Sequence, residues 1–101
     1  MIKVEYARKE DVFTLLAVSG HANSDMYGKD LVCAATSTIM FGLCNALTEK
    51  EDVDIEILDN KIKILNNSDS EVVNDYLNLA YIQLLTLKES QSSYFEFNER
   101  S

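Results

Sequence analysis

Val53-Asp54-Ile55-Glu56-Ile57-Leu58-Asp59-Asn60-Lys61-Ile62-Lys63-Ile64 is the stretch that decides the fold. Val53, Ile55 and Ile57 alternate with Asp54 and Glu56, so an extended chain here has one apolar and one charged side. Asp59-Asn60 is a turn pair. Ile62 and Ile64 then alternate with Lys61 and Lys63 on the way back, and the two runs predict a β-hairpin. A helical pattern lies on each side of it. Upstream, Asp30 is a good N-cap for a helix from Leu31 to about Lys50. Downstream, Ser68-Asp69-Ser70-Glu71 matches a capping box, and the helix after it runs to about Lys88. Val73, Tyr76, Leu77, Ala80, Leu84 and Leu87 fall on one of its faces.

Further out, Val12 to Ser19 is apolar and β-branched, as a central strand requires, and Tyr94 to Phe97 is a short aromatic strand. Ile2, Val4 and Tyr6 alternate with Lys3 and Glu5 in a first strand, and Arg8 to Asp11 is a polar turn. Gly20 to Lys29 is polar, holds two of the three glycines and reads as a loop. The order is β-β-α-β-β-α-β. Without the first strand it is βαββαβ, the split βαβ pattern. The expectation is an α+β two-layer sandwich: a ferredoxin-like plait with an extra N-terminal strand, two helices covering one face of an antiparallel sheet. Residues 1–101 form a single domain on this reading.

The chain has 101 residues, nine basic and seventeen acidic, for a net charge of −8. Most of the excess sits after residue 50, with Glu51, Asp52, Asp54 and Glu56 forming an acidic patch. No basic cluster exists, so the chain is poorly built for nucleic acid or an anionic membrane. The acidic side chains keep a surface solvated, and they also suit a basic partner. The start meets charge too soon for a secretory signal. The longest uncharged stretch, Leu31 to Thr48, is interrupted by Thr36, Ser37, Thr38, Asn45 and Thr48, so it reads as a buried helix and not a membrane span. Two cysteines are too few for a disulfide scaffold and fit a reducing, cytoplasmic setting.

At about 100° per residue, the apolar side chains of the first helix fill an arc of roughly 180°. Ala35, Ala46, Ile39, Val32, Leu43, Leu47, Met40, Cys33 and Cys44 lie in it. That is wide for a helix covering one sheet face, and the excess points to a subunit contact and a homodimer.

His21 is the one histidine. It follows Gly20 at the end of the second strand, and Cys33 stands twelve residues later at the start of the helix. A helix N-terminus lowers thiol pKa, because unpaired N–H groups and the dipole favour negative charge. An imidazole within reach takes the thiol proton and returns it to a leaving amine. Main-chain N–H groups around Cys33 and Ala34 are placed to hold an oxyanion. Asp30 cuts the other way, since its charge raises a nearby thiol. Asn23, Asp25 and Asp30 are candidates for orienting His21, and a bare dyad is equally allowed. Ser37, one turn past Cys33, either bonds the loop or substrate or bonds its own backbone. A helical cysteine is ordinarily a small core residue, so two other readings stand beside catalysis. One is a non-enzymatic dimeric module in which His21 and Cys33 support the loop. The other is a thiol redox sensor. Cys44 lies about 16 Å along the helix from Cys33, too far for a disulfide or a shared metal, and reads as core. With one histidine a closed zinc site is a ligand short, and neither metal nor cofactor is expected.

Gly20-His21-Ala22, followed by Asp30-Leu31-Val32-Cys33-Ala34-Ala35-Thr36-Ser37, resembles the signature of the ribosomal-processing cysteine proteases, the Prp family of bacteria. The likeness extends over the whole chain. It implies a homodimeric peptidase that removes a short N-terminal extension from a large-subunit ribosomal protein, cutting after an aromatic-rich segment. Carried over by position, Cys33 is the nucleophile and His21 the acid-base, with Gly20, Asp30 and Ser37 in supporting roles. The loop carrying Gly20 and Gly28 would be a lid that orders over an extended peptide, with Gly28 as its hinge. His21 and Cys33 would then be apart until peptide binds.

Overall fold

The computed structural model describes residues 1–20 and 27–100. Five strands and two long helices follow the expected order: β1 Ile2–Lys9, β2 Val12–Ser19, α1 Tyr27–Leu47, β3 Val53–Leu58, β4 Lys61–Asn66, α2 Glu71–Ser90 and β5 Phe95–Glu99, with a single 3₁₀ turn at Ser92–Tyr94 before β5. The strands lie in the order β3-β4-β2-β1-β5.

β1 is inserted where a plait would pair β2 with β5. It pairs antiparallel with β2 and parallel with β5. The sheet is therefore mixed, where the sequence predicted an antiparallel one. A tight hairpin forces β1 antiparallel to β2, so β1 must run in the direction of β5. Glu10 and Asp11 make that hairpin turn, both at positive φ (53° and 68°), as the tightest two-residue turns demand. The strands thus reach Lys9, and only two residues of the predicted Arg8–Asp11 turn are turn.

Both helices cover one face. Ile2, Val4, Leu16, Val18, Ile62 and Ile64 point into it from the sheet, and Met40, Leu47, Leu77 and Leu84 meet them from the helices. Ile57 pairs with buried Ile62, so Val53, Ile55 and Ile57 share the helix-covered side. Lys3, Glu5, Lys61 and Lys63 line the other side, where Lys61 reaches Glu5 at 3.8 Å.

The helix starts differ from the sequence reading. α2 is capped by Ser70, whose side chain accepts from the Val73 N–H at 3.2 Å. Ser68, the serine of the predicted box, instead donates to Asn66 Oδ1 at 2.6 Å. Asn66 is buried and donates to the Phe13 carbonyl at 2.9 Å, so the turn before α2 is built around this amide and takes Ser68 with it. Tyr76, placed on the buried face by periodicity, is exposed, and Tyr81 packs against the core in its stead. α1 begins at Tyr27, so Asp30 is its fourth residue and not its N-cap. Ser24 and Asp25, residue types that favour an N-cap, precede it in sequence.

Candidate active site

Gly20 ends β2 in a conformation that only glycine adopts easily, at φ 81°. Its N–H donates to the Asn60 carbonyl at 3.3 Å. A Cβ added to it would stand 2.3 Å from the Met1 carbonyl oxygen. The end of β2 is therefore clamped between the first residue of β1 and the turn of the β3–β4 hairpin, with no room for a side chain. The clamp fixes the point at which the chain leaves the sheet. His21 itself lies outside the described residues, as do Asn23 and Asp25 and the greater part of the expected lid. Gly28, expected as the lid's hinge in a loop, is placed in the first turn of α1.

Cys33 is the seventh residue of α1 and half-buried. The early start of the helix corrects one expectation. Only the first four N–H groups of a helix lack intrahelical acceptors. Those of Cys33 and Ala34 come later and donate to carbonyls four residues back, so in this helix they are not free for an oxyanion. The helix-end field also fades within the first turn, which weakens its hold on a thiol in the second.

The connection β2-α1-β3 crosses over β4, and the right-handed rule sets α1 above β4 and β3. α2 packs on β2. Thr38, Ile39, Gly42 and Ala46 of α1 face Tyr76, Leu79 and Gln83 of α2 across a groove of about 470 Å³. Cys33, Ser37 and Phe41, each four residues on from the last, run along the flank of α1 turned away from that groove. On this helix geometry they face away from α2, on the β3 side of the fold. Ser37 is half-buried, and Ala34 and Phe41 are exposed. The inter-helix groove accounts for part of the wide apolar arc of α1. Ala35 and Ile39 are half-buried, and Ala46 is exposed at the groove.

The two cysteines have different surroundings. Neither is in a disulfide. Cys44 is buried, and burial alone pushes its thiol pKa up. It is an inert core group, as expected. The sequence reading missed the clamp on Gly20 by Met1 and Asn60, and it missed Thr36. Thr36 is 1% exposed and its hydroxyl has no hydrogen-bond partner among the described residues. No local pattern signals the clamp, because it depends on the β2–β4 pairing that sets Ser19 opposite Lys61. Thr36 carried no signal either, since a threonine in an apolar arc gives no sign of its partners.

A model of the family described as cysteine protease Prp matches residues 1–96. The chain belongs to this family. Two curated relatives, the ribosomal processing cysteine protease Prp of Staphylococcus aureus strains Mu50 and NCTC 8325, are each 27% identical over 97 residues, covering 88% of this chain and 89% of theirs. The crystal structure of the essential S. aureus Prp with a substrate peptide superposes with a TM-score of 0.89 at 25% identity, covering 99% of this chain and 100% of that one. The same S. aureus enzyme with a covalently linked product peptide gives 0.85 at 26%, with the same coverage. SMU.848 from Streptococcus mutans gives 0.81 at 26%, covering 98% of this chain and 93% of that one. The Prp fold is thus the fold of this chain, and its family activity is thiol-dependent peptide-bond hydrolysis.

Proposed function

We propose that this Prp-family chain is a cysteine endopeptidase that removes the short N-terminal extension of a large-subunit ribosomal protein during ribosome assembly in the cytoplasm. Cys33 is the nucleophile and His21 the acid-base. The sulfur attacks the scissile carbonyl, while His21 takes the thiol proton and passes it to the leaving amine. Water, deprotonated by His21, then hydrolyses the thioester and frees the sulfur. Gly20 fixes the approach of the His21 segment, and Ser37 and Asp30 support the site. The observation that carries the reading is the position of Cys33, half-exposed on the flank of α1 in a chain that the family model spans almost end to end. The S. aureus relative holds a substrate peptide, which supports a peptide substrate here.

The enzyme acts as a homodimer in this proposal. Two copies that each carry −8 approach most easily through uncharged surface, and α1 has no charged residue from Leu31 onward. Leu31, Leu79 and Ile82 are exposed at 60%, 55% and 48%, which supports an apolar subunit contact. Sedimentation at micromolar concentration should give a dimer, and a monomer there would remove this part.

The deciding experiment is incubation with the ribosomal precursor, wild type against Cys33→Ala. Cleavage by the wild type alone is expected. Cleavage that persists without the thiol would end the proposal.

A further inference from the structure

Two arginines of this chain are held in opposite ways. Arg100 is bolted down: its Nε donates to Glu5 Oε2 at 2.7 Å, its Nη2 donates to the same oxygen, and its main-chain N–H donates to the Tyr6 carbonyl at 2.7 Å. The Arg8 guanidinium carries the same five N–H donors, and among the described residues none of them makes a hydrogen bond. Its one ion pair is long, Nε to Glu99 Oε2 at 3.8 Å, between side chains that are 36% and 50% exposed.

What surrounds the Arg8 guanidinium is aromatic. Its carbon lies 5.2 Å from the ring centre of Tyr6 and 5.5 Å from those of Phe13 and Tyr81. The β1–β2 pairing sets Arg8 opposite Phe13, and α2 supplies Tyr81. The three rings are tilted at 51° to 55° to one another, with centres 4.7 to 6.3 Å apart, so they form the walls of a box and not a flat stack. The walls are held without the arginine. Phe13 is 1% exposed in the core, and the Tyr6 and Tyr81 phenols share a hydrogen bond. Ring faces are electronegative, and Glu99 adds a full negative charge beside them. A preformed box of three rings and a carboxylate is a receptor for a cation, and a flat, weakly hydrated guanidinium stacks in it better than an ammonium. It lies roughly 20 Å along β1 from the end of the sheet where Gly20 is clamped.

We propose that the Tyr6–Phe13–Tyr81 box is a binding site for an arginine side chain of a partner protein, and that Arg8 is the tethered occupant that fills it in the free chain. Release of Arg8 gives up no hydrogen bond among the described residues, so the exchange replaces one guanidinium by another. A partner docked on the chain presents its arginine at an effective concentration comparable with that of the tether.

Titration of Arg8→Ala with N-acetyl-arginine amide, followed through the NMR ring signals of Tyr6, Phe13 and Tyr81, tests it. The signals should shift saturably with a Kd on the order of 1 mM, as a three-walled cation–π contact gives. The neutral isostere N-acetyl-citrulline amide should bind at least about tenfold more weakly, because it has the shape without the charge. The arginine probe should also bind the wild type at least about tenfold more weakly, because Arg8 competes. Arg8→Gln keeps a long polar side chain and drops the charge, and it carries the same titration if Arg8→Ala does not fold. Equal binding of citrulline and arginine, or no saturable shift in a folded variant, overturns the proposal. Equal affinity of the wild type and the variant overturns it as well, since the probe would then sit elsewhere. If neither variant folds, Arg8 is part of the fold and not a displaceable occupant, and the proposal is likewise overturned.

Discussion

The two helices pack on the same sheet face and are built by different rules. α2 follows the local rules for its cap and its end charges. Ser70 caps it, Glu71 stands in its first turn and Lys88 in its last, and both charges oppose the helix dipole. Val73, Leu77, Ala80 and Leu84 form one narrow buried stripe. α1 keeps few of these rules. It has no basic residue in its last turn and buries the Thr36 hydroxyl with no hydrogen-bond partner among the described residues. Departures of this kind concentrate where a protein spends stability on function. α2 is the girder of this molecule, and α1 carries the proposed nucleophile.

The largest effect should come from separating the two thiols of α1. Cys33→Ala should lower precursor cleavage by about three or more powers of ten with little change in melting temperature. Cys44→Ala should do the reverse, keeping kcat and costing about 1 kcal/mol through a small cavity. With iodoacetamide, mass spectrometry should find Cys33 alkylated well before Cys44, whose thiol is raised by burial. Equal rates at the two sites would dissolve the distinction on which the assignment of the nucleophile stands.

Next in size is the difference in packing. Leu84→Ala on α2 removes a fully buried side chain and should cost about 3 kcal/mol in urea unfolding. Phe41→Ala on α1 removes a larger side chain that is 46% exposed, and should cost less than about 1 kcal/mol. If Phe41→Ala proved the costlier of the two, α1 would be the structural helix.

The same contrast explains what was legible from the sequence. The β3–β4 hairpin and the span of α2 follow from local period and turn chemistry, because one side of each element is buried and the other wet. The mixed pairing of the sheet was not legible. β5 joins β1 through contacts more than ninety residues apart, which no local pattern encodes. The cap of α2 was misplaced by two residues, because Ser68 is claimed by a buried amide from β4 and not by the helix. The start of α1 was misread because Gly28 looks like a loop residue when read alone. Of the site, the position of Cys33 on a helix flank was legible. The clamp on Gly20 was not, since Met1 and Asn60 reach it only once the sheet is assembled.

Thr36→Val sharpens the comparison with a smaller effect. The buried hydroxyl has given up water and found no acceptor. Valine has nearly the same shape and no such debt, so stability should rise by about 1 kcal/mol. The urea midpoint should move up with an unchanged m-value. A lower midpoint would mean that the hydroxyl is bonded in solution, and that α1 departs from local rules at one fewer place.

The smallest effect belongs to α2 and appears only at high pH. Tyr81 stacks on Tyr6 at 4.7 Å and Phe13 at 5.2 Å between ring centres, with the Arg8 guanidinium 5.5 Å from its own. Burial and the hydrogen bond with Tyr6 push its phenol up to about 12, against the weaker pull of Arg8. In the unfolded chain the same phenol ionises near pH 10. A folded value above the unfolded one means that the contribution is present in full below about pH 10 and is lost as pH climbs toward the folded value. Stability of the wild type should therefore fall above about pH 10 by more than that of Tyr81→Phe, which has no proton to lose there. Urea unfolding from neutral pH to about 11 measures both slopes. Parallel slopes would show the phenol titrating as freely in the fold as outside it, and the helix read as purely structural would have a solvent-open ring in the aromatic cluster that anchors it to β1.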